Sequence, residues 1–343
     1  SSELSFIDRH TQFALIATRE AVADAGITFT GELCSRTAAI YGTGVGGQCT
    51  QDENYQKLYG DNARRLHPYT VPKLMPSACS SNISMEFGIT GPTFNVTSAC
   101  ASSAHAVGTA LMMLRAGMID VAITGGAEAP ITPGALVAWE GLRVLAKDTC
   151  RPFSGNRGGM VLGEGAGTLI LETLEHAQRR GAKIYAELAG CGMNADAHNL
   201  VQPARHGMAA ALTLALSDAG LTQTDIAYIN AHGTGTPQND PVETAAIRTV
   251  FGDHANRLLV SSTKSMHGHL LGAASAIEAI ATIFALQEQR APPTIGFLEP
   301  DPLCDLDYVF GMARTAAIKS AVSNSFAFGG LNAVLVFNRF AEQ

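Results

Sequence analysis

Short apolar runs recur along the chain at residues 38–41, 121–124, 168–171, 185–189, 226–229, 258–260 and 333–337. Their lengths and mostly strand-like composition predict β-strands. Between them, residues 8–24, 102–116, 207–219, 241–251 and 273–287 carry helical spacing or length, and several of these segments close on glycine, a common helix terminator. The alternation predicts an α/β fold built mainly of βα units, with helices covering the sheets. The chain opens on the amphipathic helix 9–25 with no strand ahead of it. There is also an internal echo: Val96 to Cys100 followed by a small-residue helix parallels Val260 to Lys264 followed by a second Ala- and Gly-rich helix. Two such units suggest duplicated halves, here divided at 1–182 and 183–343.

Composition narrows the function classes. With 343 residues, 46% hydrophobic and 15% charged, the chain can bury a large core. Its net charge of −7 gives no reason to expect nucleic acid or an anionic membrane as partner. Seven cysteines form no CxxC pair and no metal-ligand spacing, which suits a reducing, cytoplasmic setting. No apolar run reads as a membrane span, and Ser1-Ser2-Glu3-Leu4 does not open a signal peptide.

The candidate chemistry lies on turns that follow strands. Cys100, in Val96-Thr97-Ser98-Ala99-Cys100-Ala101-Ser102-Ser103, sits where a strand gives way to a helix. Backbone N–H groups and the helix dipole there would lower a thiol pKa and hold an oxyanion. Alone, Cys100 reads equally as a small buried hydrophobe. His232, in Asn230-Ala231-His232-Gly233-Thr234-Gly235-Thr236, leaves the strand 226–229, where either a catalytic or a turn histidine would fit. Ser262-Thr263-Lys264-Ser265-Met266-His267-Gly268-His269 places a lysine and two histidines together, with Glu278 on the next helix as the obvious carboxylate for Lys264. As a metal site the cluster lacks a completing ligand set.

Adding Ser323-Asn324-Ser325-Phe326-Ala327-Phe328-Gly329-Gly330 and Val161-Leu162-Gly163-Glu164-Gly165, the chain closely resembles the β-ketoacyl-acyl-carrier-protein synthases of the thiolase superfamily over residues 8–337, nearest to the KAS I/II branch. The resemblance implies a layered α-β-α-β-α architecture. It implies a decarboxylative Claisen condensation in fatty acid biosynthesis, in which Cys100 takes an acyl group and malonyl-acyl-carrier-protein supplies the carbanion. His232 and His269 would stabilise the enolate, with Lys264 and Glu278 as partners and the N–H groups of Cys100 and Phe328 as oxyanion hole. Phe328 would also gate the site, and Thr234 and Thr236 would bind pantetheine.

Val45 and Met160 fall at acyl-pocket positions, and Arg64, Arg65 and Arg143 at carrier-protein contacts; in bare sequence terms these arginines are also ordinary surface charges. Asn230, Glu278, Ser323 and Asn324 match a structural monovalent cation site, and no catalytic cofactor is implied. Gly158, Met160, Ala327, Leu331 and His267 depart from the residues relatives carry, and the family's first strand has no counterpart. The smaller Val45 together with Met160 points to long or unusual acyl chains, unsaturated ones among them. The partner would be an acyl carrier protein, in a homodimer or in a heterodimer with a chain-length-factor-like subunit of a specialised polyketide or aryl-polyene pathway. Cys100, His232 and His269 argue against a non-catalytic chain-length factor. The absence of a cysteine in Phe326-Ala327-Phe328 argues against a degradative thiolase.

Overall fold

The computed structural model describes residues 3–341, so the reading of the Ser1–Ser2 start lies outside the described residues. Two sheets organise it. The first has the order β2-β1-β3-β4, formed by β1 (Thr37–Gly42), β2 (Thr93–Val96), β3 (Val121–Glu128) and β4 (Gly165–Glu172). Strands β2, β1 and β3 run parallel, and β4 is antiparallel to β3. Every residue of β1 and β3 is buried, which explains why these segments read as continuous apolar runs.

The second sheet has the order β5-β12-β11-β6-β7-β9. Its strands are β5 (Ala186–Ala195), β6 (Ile226–Asn230), β7 (Leu259–Ser261), β9 (Asp307–Tyr308), β11 (Ser320–Ala327) and β12 (Leu331–Arg339), while β8 (Arg290–Ala291) and β10 (Arg314–Thr315) form a separate two-stranded ribbon.

Helices Arg9–Ala25 and Ala78–Phe87 cover the outer face of the first sheet, and Arg205–Ala219, backed by Asn239–Phe251, covers that of the second. Helices Ser102–Arg115 and Ala274–Glu288 lie between the sheets and touch both. The result is the expected α-β-α-β-α layering, and these two middle helices are the ones paired by the internal echo.

The helical stretch Leu271–Glu288 corrects one expectation. It is long and apolar enough to cross a membrane, with 18 residues and a mean hydropathy of 1.2, yet 61% of it is buried inside the protein. A helix apolar on most sides fits a middle layer between two sheets.

Candidate functional site

The turn carrying Cys100 is tightly constrained. Ala99 adopts a φ of 50°, a left-handed conformation uncommon outside glycine, and turns the chain sharply before the cysteine. Helix Ser102–Arg115 then packs directly on β1. A Cβ added to Gly42 would lie 2.4 Å from the Ser103 nitrogen, so glycine is required for this approach.

Cys100 precedes the N-cap Ala101 and lies just outside the helix, which begins at Ser102. The N–H groups of Ala101 and Ser102 already donate to the carbonyls of Ser98 and Ala99. They are thus not free to solvate the sulfur. Burial pushes the Cys100 thiol up to about 11; the Lys264 charge and the Phe328 N–H pull it down without reversing the shift. The expected low-pKa thiolate is therefore replaced by a resting thiol, because loss of hydration outweighs a helix end whose first donors are occupied.

Two imidazoles stand over this thiol. His269 Nε2 lies 3.1 Å from Cys100 Sγ, and the His232 and His269 rings meet edge-on at 86° with centroids 5.4 Å apart. The Leu271 N–H donates to His269 Nδ1 at 3.3 Å, and Lys264 Nζ lies 3.2 Å from His232 Nδ1. A donor on each Nδ1 leaves Nε2 as the protonated nitrogen of each neutral ring. Burial first and the Lys264 charge second hold both imidazoles neutral, with pKa values well below 6.5.

Cys100, His232 and His269 place potential ligand atoms within 4.8 Å of one another. Metal binding through both Nε2 atoms would move each proton to an Nδ1 that already faces a donor, so this donor set fits a pair of N–H donors better than a metal.

Lys264 is buried, pairs with Glu278 Oε1 and donates to the His232 carbonyl at 2.7 Å. The Glu278 carboxyl is raised to about 7, chiefly by burial. Below the site, Glu243 accepts the His232 and Gly233 N–H groups at 2.8 Å each. Glu243 was missed in the sequence; its only signal was an acidic residue in the helix after the histidine loop.

A cavity of about 190 Å³ opens onto Cys100, His232 and His269 and also reaches Thr234, Thr236 and Met160. The Thr234 and Thr236 hydroxyls are 2.9 Å apart. Phe328 lines the same space and stacks on Trp139 at 6.1 Å; this single tryptophan was another unread member of the site.

Other sequence candidates lie elsewhere. Val45 is not among the cavity-lining residues and is 41% exposed, on a turn folded around Glu128. Arg64 and Arg65 are exposed and line no part of the cavity, whereas exposed Arg143 lies between Leu142 and Val144, which do. Asn230 and Ser323 are direct neighbours in the β6–β11 register. Glu278 Oε2, Ser323 Oγ and Asn324 Oδ1 are buried without a hydrogen-bond partner. Such all-oxygen acceptors suit a hard monovalent cation.

The first half of the chain, residues 1–177, matches the family described as Beta-ketoacyl synthase, N-terminal domain, and residues 185–298 match its C-terminal domain. Nodulation protein E of Rhizobium sp. (strain N33) is 50% identical over 337 residues, covering 98% of this chain and 84% of that protein. The 3-oxoacyl-acyl-carrier-protein synthase 2 of Staphylococcus aureus (strain N315) is 43% identical over 341 residues, covering 97% and 82%. Among solved structures, the ishigamide ketosynthase/chain length factor has a TM-score of 0.93 at 39% identity over 98% of this chain and 84% of that one. A type II PKS acyl-carrier protein in complex with its ketosynthase has a TM-score of 0.90 at 32% identity, covering 97% and 85%. On this similarity, carried through both halves of the fold, the chain belongs to the beta-ketoacyl synthase family and is a ketosynthase, an acyltransferase.

Proposed function

We propose that the protein condenses a Cys100-bound acyl group with malonyl-acyl-carrier-protein to give 3-oxoacyl-acyl-carrier-protein in fatty acid biosynthesis. The observation that carries this reading is the pair of neutral imidazoles, each with Nε2–H, beside a buried thiol. In the first step the Cys100 sulfur attacks an acyl thioester and the pantetheine thiol leaves. In the second, the malonyl carboxylate departs as CO2, and its bonding electrons form an enolate on the thioester. The Nε2–H groups of His232 and His269 stabilise the enolate oxygen. The enolate carbon then attacks the acyl carbonyl, whose oxyanion is held by the N–H groups of Phe328 and Cys100, and the Cys100 sulfur leaves.

Thr234 and Thr236 would hydrogen-bond the pantetheine arm, Phe328 would gate entry, and Met160 would shape the acyl space. Arg143, at the cavity rim, would meet an acidic carrier protein, and Arg64 and Arg65 would add to its attraction. A monovalent cation held by Glu278, Ser323 and Asn324 near Asn230 would neutralise the buried acceptors; it would stabilise the site and take no part in bond making. The seven free cysteines suit the cytoplasm.

The test supplies purified protein with acyl carrier proteins of different chain length and saturation plus malonyl carrier protein. Equal amounts of CO2 and 3-oxoacyl product are expected; acyl transfer without CO2 would refute the reading.

A second reading, a specialised condensing subunit paired with a chain-length-factor-like partner, is supported by the ishigamide ketosynthase/chain length factor as a structural neighbour. Native mass spectrometry separates it from a homodimer.

A further inference from the structure

Glu128 is a carboxylate that the condensation scheme does not use. It ends β3, is fully buried, and accepts hydrogen bonds from two separate segments. Thr43 Oγ1 and the Val45 N–H donate to Oε1 at 2.9 and 3.3 Å, and the Gly44 N–H donates to Oε2 at 2.6 Å. The fourth donor, the Gly272 N–H at 2.9 Å, comes from the start of the middle helix. The two segments approach each other closely around this carboxylate. A Cβ on Gly272 would stand 2.2 Å from the Gly44 nitrogen and 2.6 Å from Glu128 Oε2.

The residue before Gly272 gives this arrangement its significance. Leu271 holds a φ of 46°, a left-handed conformation that a leucine keeps only where its neighbours enforce it. In that conformation its N–H reaches His269 Nδ1. The contact fixes His269 with its proton on Nε2, facing Cys100.

We propose that Glu128 is a positioning residue: by gripping the Gly272 N–H it holds the Leu271 corner, and so the tautomer and aim of His269. The inference rests on the condensation reading, in which His269 serves the decarboxylation step.

Glu128→Gln tests it, since glutamine keeps the size but turns one acceptor into a donor facing N–H groups. The wild-type protein must first release CO2 from malonyl carrier protein; if it does not, the condensation reading fails, independently of Glu128. Given an active wild type, the variant is expected to form acyl-Cys100 within about threefold of the normal rate while condensation falls by roughly tenfold or more. In 15N spectra the His269 side chain should change from one Nε2–H tautomer to a mixture. Thr43→Val, which removes a donor on the far segment, should keep both rates and the single tautomer.

Wild-type condensation with an unchanged His269 spectrum in Glu128→Gln would overturn the proposal. Equal loss of acylation and condensation would also overturn it, as would a Thr43→Val defect matching that of Glu128→Gln. If Glu128→Gln does not fold, Glu128→Asp, which keeps the charge but withdraws from Gly272, is read by the same criteria.

Discussion

The buried thiol leads to a pH test whose size follows from the structure. Cys100 is raised from 9.0 to about 11, a shift of about two units or roughly 3 kcal/mol against the thiolate. Near pH 8 only about one molecule in 10³ should carry the thiolate, against about one in ten for an unshifted thiol. Because the thiolate is the reacting form, alkylation of Cys100 by iodoacetamide should rise about tenfold per pH unit from pH 7 to pH 10. Intact-mass kinetics with peptide mapping measure this directly. Lys264→Met provides a second arm: its charge pulls the thiol down, so its loss should slow alkylation further at each pH. A plateau at or below pH 9, or faster alkylation in Lys264→Met, would refute the argument that burial outweighs the nearby positive charge and N–H donors.

Three further outcomes follow from the same geometry. His232 and His269 have pKa values well below 6.5, so both rings stay neutral as pH falls through the ordinary histidine range; their 15N side-chain signals should be unchanged from pH 8 to pH 6, and conversion to imidazolium centred near 6.5 would contradict their environment. Gly42→Ala drives a Cβ against the Ser103 backbone and should cost about 1–3 kcal/mol in denaturant unfolding while slowing Cys100 acylation; unchanged stability would refute the packing argument. Exchanging sodium and potassium for tetramethylammonium should lower the unfolding temperature, with recovery on adding the small ions back, if a cation satisfies the buried acceptors of Glu278, Ser323 and Asn324. No change would remove the cation proposal.

Periodicity exposed the elements whose burial is apolar. The helix read at 102–116 is Ser102–Arg115 and the one read at 241–251 is Asn239–Phe251, and every predicted apolar run overlaps a strand. The central strand β11 was not read from the apolar pattern, because Ser320–Ala327 is rich in serine and asparagine although all eight residues are buried. Some of its polar groups pair inside, as Ser325 with Ser275 and the Asn324 amide nitrogen with Glu243, and such burial of polar groups leaves no hydrophobic signature. Helix Ala78–Phe87 was hidden by similar serine and asparagine content.

At the site, motif residues Cys100, His232 and Lys264 were legible because each follows a strand, and His269 because it shares one short motif with Lys264. Their tautomers and the resting thiol were not, since these depend on burial and on donors such as the Leu271 N–H that only the folded chain supplies. Glu128 was equally invisible: its partners lie 83–85 and 144 residues away in sequence.

The division of labour between thiol and imidazole is tested most directly by single-turnover mass spectrometry with acyl carrier protein and then malonyl carrier protein. Wild type should gain and then lose the acyl mass on Cys100 as CO2 and 3-oxoacyl product appear. His269→Ala should gain the acyl mass and retain it, and Cys100→Ala should gain none. An acyl mass on Cys100→Ala, or full product release by His269→Ala, would contradict the account.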